Sequence, residues 1–237
     1  VIAWRLEVFD ELGSTSDLCT GRARAGEAEG LAVMALKQTA GRGSRGRSWQ
    51  APVGNLNFSV LIRPSLPAAL AGIFSLSAGL AVVEALEQFF APPTILKWPN
   101  DVLIADAKLA GILIDAAPVG QHLDWLVIGI GVNLRNAPEI PGRSTTSLAA
   151  HHVDLGPHDA AAAILARLSS WQDADPFDIR SAWLARAHPI GTALEIRGAH
   201  QTHIGTFAGL SPAGELLLQT KNRIEPISTG DVMLGLA

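Results

Sequence analysis

The stretch from Ala68 to Ala91 is the most apolar in the chain and carries only two charges, Glu84 and Glu87. Its length alone would let a helix cross a membrane. Gly72, Ser75, Ser77 and Gly79, together with the two glutamates, argue instead for a helix over 68–90 that the rest of the protein buries, and Pro92 and Pro93 close it. A helix this apolar must be covered, so the flanking segments have to supply a packing surface. With 237 residues, 48% hydrophobic and 17% charged, the chain is long enough for one sizeable core, or one core and a small satellite.

Short apolar or alternating runs provide that surface. Arg5 to Phe9, Leu31 to Ala35, Leu56 to Ile62, Ile95 to Trp98, Val102 to Ile104, Leu109 to Ala116 and Trp125 to Leu134 read as strands with turn residues between them. Gly13-Ser14-Thr15-Ser16 is a polar turn whose hydroxyls can cap a following helix. Helical patterns recur over 159–172 and 178–187, with Trp171, Phe177 and Trp183 as packing residues. The expected fold is α+β, a mixed sheet with helices packed on one face. After Pro189 the texture changes to five short strands, Ala193 to Arg197, His203 to Leu210, Glu215 to Gln219, Arg223 to Ile227 and Asp231 to Leu234, which suggests a small C-terminal β-barrel. The division is therefore 1–189 and 190–237.

The formal net charge of −4 gives no global attraction to nucleic acid or an anionic membrane, so any basic site is local. The single cysteine, Cys19, excludes an internal disulfide framework and fits a reducing cytosol. The first 16 residues lack a basic region followed by a long apolar run, so no export signal is read and a cytoplasmic protein is expected. His151, His152 and His158 have no second ligand pair at metal spacing, so no protein-held metal is expected.

Gln38 to Trp49 has no apolar periodicity and reads as a loop. Within it Gly41, Gly43 and Gly46 satisfy a dinucleotide fingerprint, but the segment leads into a strand rather than a helix, so there is no helix N-terminus to receive a pyrophosphate. Arg42, Arg45 and Arg47 between the glycines suit close, bidentate contact with phosphate or carboxylate, and Trp49 adds a stacking surface. A solvated basic loop accounts for this segment equally well. Lys97-Trp98-Pro99-Asn100-Asp101 brings a cation, an amide and a carboxylate to a strand-to-turn junction, where a structural salt bridge such as Lys97 with Asp101 is the alternative to a site. Lys108 opens a strand in which Gly111 permits close approach of a ligand or backbone. Gly129-Ile130-Gly131-Val132-Asn133 alternates small residues along one face, which tight packing of a helix would also explain.

Taken in order, GRGSRGRSW, KWPND, KLAGIL and GIGVN resemble the signature set of biotin–protein ligases, and the likeness covers nearly the whole chain, including an SH3-like C-terminal barrel. Starting close to the catalytic region, the chain resembles the monofunctional type without an N-terminal DNA-binding domain. The resemblance implies a cytoplasmic ATP-dependent ligase that forms biotinyl-5'-AMP and transfers biotin to a lysine of the biotin carboxyl carrier domain of acetyl-CoA carboxylase or a relative. It implies biotin and ATP as substrates, with Mg²⁺ arriving on ATP, no DNA or membrane partner, and a homodimer as an option. Ser14, Thr15, Ser16, Gln38, Gly41, Arg42, Gly43, Ser44, Lys108 and Gly111 would bind biotin. Arg42, Arg45, Arg47, Trp49, Lys97, Asn100 and Asn133 would bind ATP or the adenylate. Arg42 and Lys108 would offset repulsion between the reacting anions, and Asp101 would orient or deprotonate the acceptor lysine, of which about one in a thousand is neutral near pH 7.4. Two positions depart from the family pattern: Ser16 where asparagine is common, and Ser44 where an arginine usually follows G-R-G, with Arg45 as its stand-in. A lipoate or octanoate ligase and a phosphate- or nucleic-acid-binding module are the alternatives.

Overall fold

The computed structural model describes residues 2–50, 52–198 and 201–234; the expected C-terminal unit 190–237 therefore includes positions 199–200 and 235–237 that lie outside the described residues. Seven strands form one sheet: β1 (Arg5–Leu12), β2 (Leu31–Gln38), β3 (Leu56–Ile62), β4 (Ile95–Lys97), β5 (Asp101–Ile104), β6 (Ala107–Val119) and β7 (His122–Val132), in the order β1-β2-β3-β7-β6-β5-β4. Only β1 and β2 run parallel, so the sheet is mixed as expected.

Alternation along the strands gives the sheet two unlike faces. On one face Met34, Phe58, Val60, Ile112, Ile128 and Ile130 join the main core. Helices α2 (Ala71–Glu87), α3 (Pro157–Trp171) and α4 (Pro176–Leu184) cover this face. The apolar stretch that set the initial constraint is its centre: residues 68–87 are long and apolar enough to span a membrane, and 61% of their most apolar window is buried inside the protein. The helix is shorter than the expected 68–90. Ala68–Leu70 form a 3₁₀ turn, and at the other end Phe90 takes a left-handed φ of 59° while Ala91 N–H reaches back to the Leu86 carbonyl, which stops the helix before Pro92. Trp183 is buried in this core, whereas Phe177 is exposed under the Arg180 guanidinium.

The opposite face is only partly covered. Helix α1 (Thr15–Arg24), capped by the Ser14 hydroxyl accepting from Asp17 N–H, buries Cys19 and Ala23 against Leu31, Val33, Leu61, Trp125 and Val127. Beyond its N-terminus the same face is left open.

The last five strands, β8 (Ala193–Arg197), β9 (Thr202–Leu210), β10 (Leu216–Gln219), β11 (Ile224–Ile227) and β12 (Asp231–Leu234), form an antiparallel sheet in the order β11-β10-β9-β8-β12. Among the described residues β11 and β12 do not pair, so the ladder is open rather than a hydrogen-bonded closed barrel. Its inner side chains, among them Leu194, Ile196, Phe207 and Leu218, belong to the main core, and Trp98 Nε1 donates to the Gly214 carbonyl.

Candidate active site

On the open face, β7 changes from large to small side chains along its length. Trp125 and Val127 pack under α1, then Gly129 and Gly131 follow at the same face while Ile128, Ile130 and Val132 stay in the core behind. Gly111 of β6 pairs with Gly131. The missing side chains open a cavity of about 600 Å³ bounded by the N-terminus of α1, Gln38, the 42–50 segment, β3, the β4–β5 turn, β6, β7, residues 140–145 and Asp231 of β12. The two glycines divide the roles expected of this alternation: Gly129 lets the first turn of α1 approach through Ser16, and Gly131 lets the Trp49 indole lie on the cavity floor, whereas α2, α3 and α4 lie behind the other face.

One end of the cavity is polar and uncharged. Gln38 Oε1 accepts from Thr15 N–H at 2.7 Å and from the Thr15 hydroxyl at 3.1 Å, and Ser16 lies beside them. Asn57 and Ser59 of β3 support this end and are buried. Neither was anticipated, although their alternation with Phe58 and Val60 marks a polar face in an otherwise apolar strand. A Cβ on Gly129 would stand 2.5 Å from Ser16 Oγ, so any larger residue would displace the Ser16 hydroxyl from its place at this end of the cavity.

The Gly/Arg segment is folded rather than loose. Gly43 N–H donates to the Arg47 carbonyl at 2.7 Å and Trp49 N–H to the Gly41 carbonyl at 2.8 Å, with Arg45 and Gly46 both at positive φ in the turn. Two adjacent left-handed residues match the primed turn of a tight hairpin. Gly41 holds the hairpin's base, because a Cβ there would lie 2.5 Å from the Trp49 carbonyl; it is not on the cavity wall.

The three arginines go to different places. Arg42 lines the cavity and is held by Asp115 of β6 through two bonds of 2.9 and 3.0 Å, and by Asp17 of α1 at 2.9 Å. The Asp115 hydrogen bonds raise its pKa, so it is a permanent cation. Asp115 was another unanticipated residue, signalled by a carboxylate inside the apolar run of β6. Arg47 lines the cavity and pairs with Asp231 at 2.9 Å while donating to Ser44 Oγ. Asp231 also pairs with Arg143. Arg45, the expected stand-in for an arginine at 44, turns away from the main cavity and donates to the Arg197 carbonyl at 3.2 Å. It lines a smaller adjoining cavity of about 220 Å³.

Lys108 forms a close ion pair with Asp101, and both face the cavity. Asp101 thus pairs with Lys108 rather than with Lys97, which lines the cavity with its pKa lowered by burial. Asn100 lines the cavity and donates to the Ile112 carbonyl at 2.6 Å, stitching the β4–β5 turn to β6. Asn133 is off the wall: it is buried and donates to the Thr146 carbonyl at 3.0 Å. Trp49 lies across Gly111 and Gly131, with Lys108 Nζ 5.6 Å from its ring centroid. Its Nε1 is buried without a hydrogen-bond partner. Ser14, Gly43, Ser44 and Gly111 complete the predicted residues on the wall. Among the described residues no group of three or more His, Cys, Asp or Glu could hold a metal ion.

The arrangement offers a neutral hydrogen-bonding pocket, guanidinium and ammonium groups held by carboxylates, and an indole laid on two glycines. Such a site can bring together two anions, one attached to a polar uncharged ring and one to a flat base.

Residues 12–133 match the biotin/lipoate A/B protein ligase family and residues 193–235 the biotin protein ligase C-terminal domain. A biotin–[acetyl-CoA-carboxylase] ligase of Paracoccus denitrificans is 37% identical over 86% of this chain and 90% of that protein. One from Mycobacterium tuberculosis is 35% identical over 97% and 89%. The fold is similar to that of the Aquifex aeolicus biotin protein ligase in complex with biotin and ATP, at a TM-score of 0.80 with 28% identity over 98% of this chain and 99% of that one.

Proposed function

The chain belongs to the biotin/lipoate A/B protein ligase family, and from that premise we propose that it is a biotin–[acetyl-CoA-carboxylase] ligase. It joins biotin to AMP and passes the biotinyl group to a lysine of a biotin carboxyl carrier domain. The observation that carries the choice within the family is the uncharged polar end of the cavity. Thr15, Ser16, Gln38, Asn57 and Ser59 form a buried hydrogen-bonding cluster there. A cyclic urea matches the hydrogen-bonding capacity that these mutually bonded groups leave free at the wall, whereas a lipoyl dithiolane or an octanoyl chain would leave that remaining capacity unmet and desolvated, at a cost of about 1–3 kcal/mol per buried group. The reading therefore favours biotin over lipoate.

In the first step the biotin carboxylate attacks the α-phosphate of ATP and pyrophosphate leaves. Arg42 and Lys108 converge on the carboxylate and α-phosphate, where fixed cations offset the repulsion between two anions. Mg²⁺ bound to ATP adds charge neutralisation on the phosphates. Arg47 and Lys97 serve the phosphate tail, and Trp49, seated on Gly131, offers its cavity-facing side to the adenylate and keeps water from the mixed anhydride. In the second step the acceptor lysine attacks the biotinyl carbonyl and AMP leaves, with Asp101 orienting or deprotonating the amine. Ser44, Gly41 and Asn133 shape the hairpin and the end of β7 rather than contacting the reacting atoms. We assign catalysis to 1–189, with 190–237 closing the site through Asp231, and place the enzyme with its carrier in the cytoplasm.

Incubation with labelled biotin, ATP and Mg²⁺, with and without a biotin carboxyl carrier domain, tests the reading. Label is expected as biotinyl-adenylate without the acceptor and on the acceptor's lysine with it. Transfer that proceeds without ATP, or a preference for lipoate over biotin, would overturn it.

A further inference from the structure

The hydroxyls of Thr15, Ser16 and Ser59 share three contacts that each need one proton, and groups at the two ends of this network fix which way each proton points. Thr15 N–H can only donate, so the atom of Gln38 it meets at 2.7 Å is the acceptor Oε1, and Gln38 Nε2 faces Asn57 Oδ1 at 3.4 Å. At the far end the Ala35 carbonyl can only accept, which fixes Asn57 Nδ2 towards it at 3.3 Å. The Thr15 hydroxyl, 3.1 Å from Gln38 Oε1, must therefore donate to it. The 2.8 Å contact between Thr15 and Ser59 then needs the Ser59 proton, and the 3.1 Å contact between Ser16 and Ser59 needs the Ser16 proton. This is the one assignment that satisfies all three contacts.

Its consequence is a defined polarity at the cavity wall. Ser16 has given its proton to Ser59 and Thr15 its proton to Gln38, so both wall hydroxyls are left with lone pairs. Gln38 Nε2 keeps one N–H. Two acceptors, with Gln38 Nε2 and the Ser14 hydroxyl as donors, complement two N–H groups flanking a carbonyl. Ser59 itself is fully buried and is not on the wall, while Ser16, Thr15 and Gln38 are.

We propose that Ser59 is a positioning residue that sets this hydrogen-bond polarity and thereby makes the site select a cyclic urea against a cyclic carbamate, in which a ring oxygen replaces one N–H. The inference rests on the biotin reading above. In the wild type a ring oxygen would meet a lone pair whose hydroxyl proton is committed to Ser59. Without Ser59 the Ser16 hydroxyl is free to turn and donate.

The test is adenylation kinetics with biotin and with its two cyclic carbamate analogues, in wild type, Ser59→Ala and the volume-preserving Ser59→Cys, whose thiol is a weak donor. The wild type should favour biotin over at least one carbamate by about 100-fold or more in kcat/KM, because an analogue lacking the matched group leaves buried polar atoms unpaired. In Ser59→Ala that ratio should fall by about tenfold or more, with Ser59→Cys between the two and the KM for ATP unchanged. A ratio, unlike a rate, is insensitive to a fraction of misfolded enzyme. If Ser59→Ala and Ser59→Cys lose activity on biotin and carbamate in equal proportion, Ser59 is only structural and the proposal fails. If the wild type adenylates biotin but does not discriminate against either carbamate, the proposal fails while the biotin reading stands. A wild type inactive on biotin removes both.

Discussion

Replacing Lys108 by alanine separates a cation that acts on the reacting anions from one that only holds Asp101. Its ammonium is paired with Asp101, the two side chains being 19% and 13% exposed. Loss of a preorganised charge at a reacting centre costs about 100- to 1,000-fold in rate, or about 2.7–4 kcal/mol. The stability cost follows from the same pair. An exposed pair is worth about 0–1 kcal/mol, and breaking a buried one costs about 3–5 kcal/mol, so a pair this sheltered but not sealed falls at about 1–3 kcal/mol. At about 2–4 °C per kcal/mol for a chain of this size, the melting temperature should drop by about 2–12 °C. That leaves a protein of ordinary stability folded at 25 °C. Pyrophosphate release with biotin and ATP reads the first step alone. The double variant Lys108→Ala with Asp101→Ala should recover most of the melting temperature and none of the rate. A folded Lys108→Ala protein releasing pyrophosphate within threefold of wild type would refute the electrostatic role and leave Lys108 as a structural partner.

Three further outcomes test other parts of the site. Ser44→Arg should slow escape of biotinyl-adenylate into solution by about tenfold, the worth of one charge-assisted hydrogen bond of about 1.5 kcal/mol; equal release rates from variant and wild type would show that position 44 does not govern retention of the intermediate. Gly131→Ala would place a Cβ 2.3–2.6 Å from the Trp49 indole, so the ring must leave its slot; the KM for ATP should rise with a shift in tryptophan emission, and an unchanged KM and spectrum would show that the slot is not used. Burial pushes the Asp231 carboxyl up, but Arg47, Arg143 and Arg45 outweigh it and hold the group below its ordinary value of 3.8. A carboxylate with a depressed folded pKa contributes stability that is fully present above the unfolded value and is lost as pH falls through the folded one. The melting temperature should thus fall more steeply below about pH 4 in wild type than in Asp231→Asn, and parallel curves would refute the link.

Strand and helix positions were legible because they follow from periodicity, and β3, β8 and β12 begin and end where alternation and turn residues put them. The termination of α2 was not, since it depends on Phe90 adopting a left-handed conformation that sequence preference assigns to glycine. The motifs located the cavity wall from both sides. They did not reveal which carboxylates would meet which cations, because Asp115 and Asp231 lie 73 and 184 residues from the arginines they bind. The turn at Arg45-Gly46 decided a second question. With both residues left-handed, the Arg45 side chain points to β8, so proximity in sequence to the vacant position 44 did not translate into proximity to the cavity.

Each of those pairings has the same chemical sense. Arg42 rests on Asp115 and Asp17, Lys108 on Asp101, and Arg47 and Arg143 on Asp231. A cluster of unpaired cations in one cleft would repel itself and pull the hairpin apart, whereas cations holding carboxylates are kept in place at little electrostatic cost. In the proposed reaction the Lys108 ammonium, held by Asp101, would act on the reacting carboxylate and α-phosphate, and the Asp101 carboxylate beside it would meet the ammonium that arrives with the carrier.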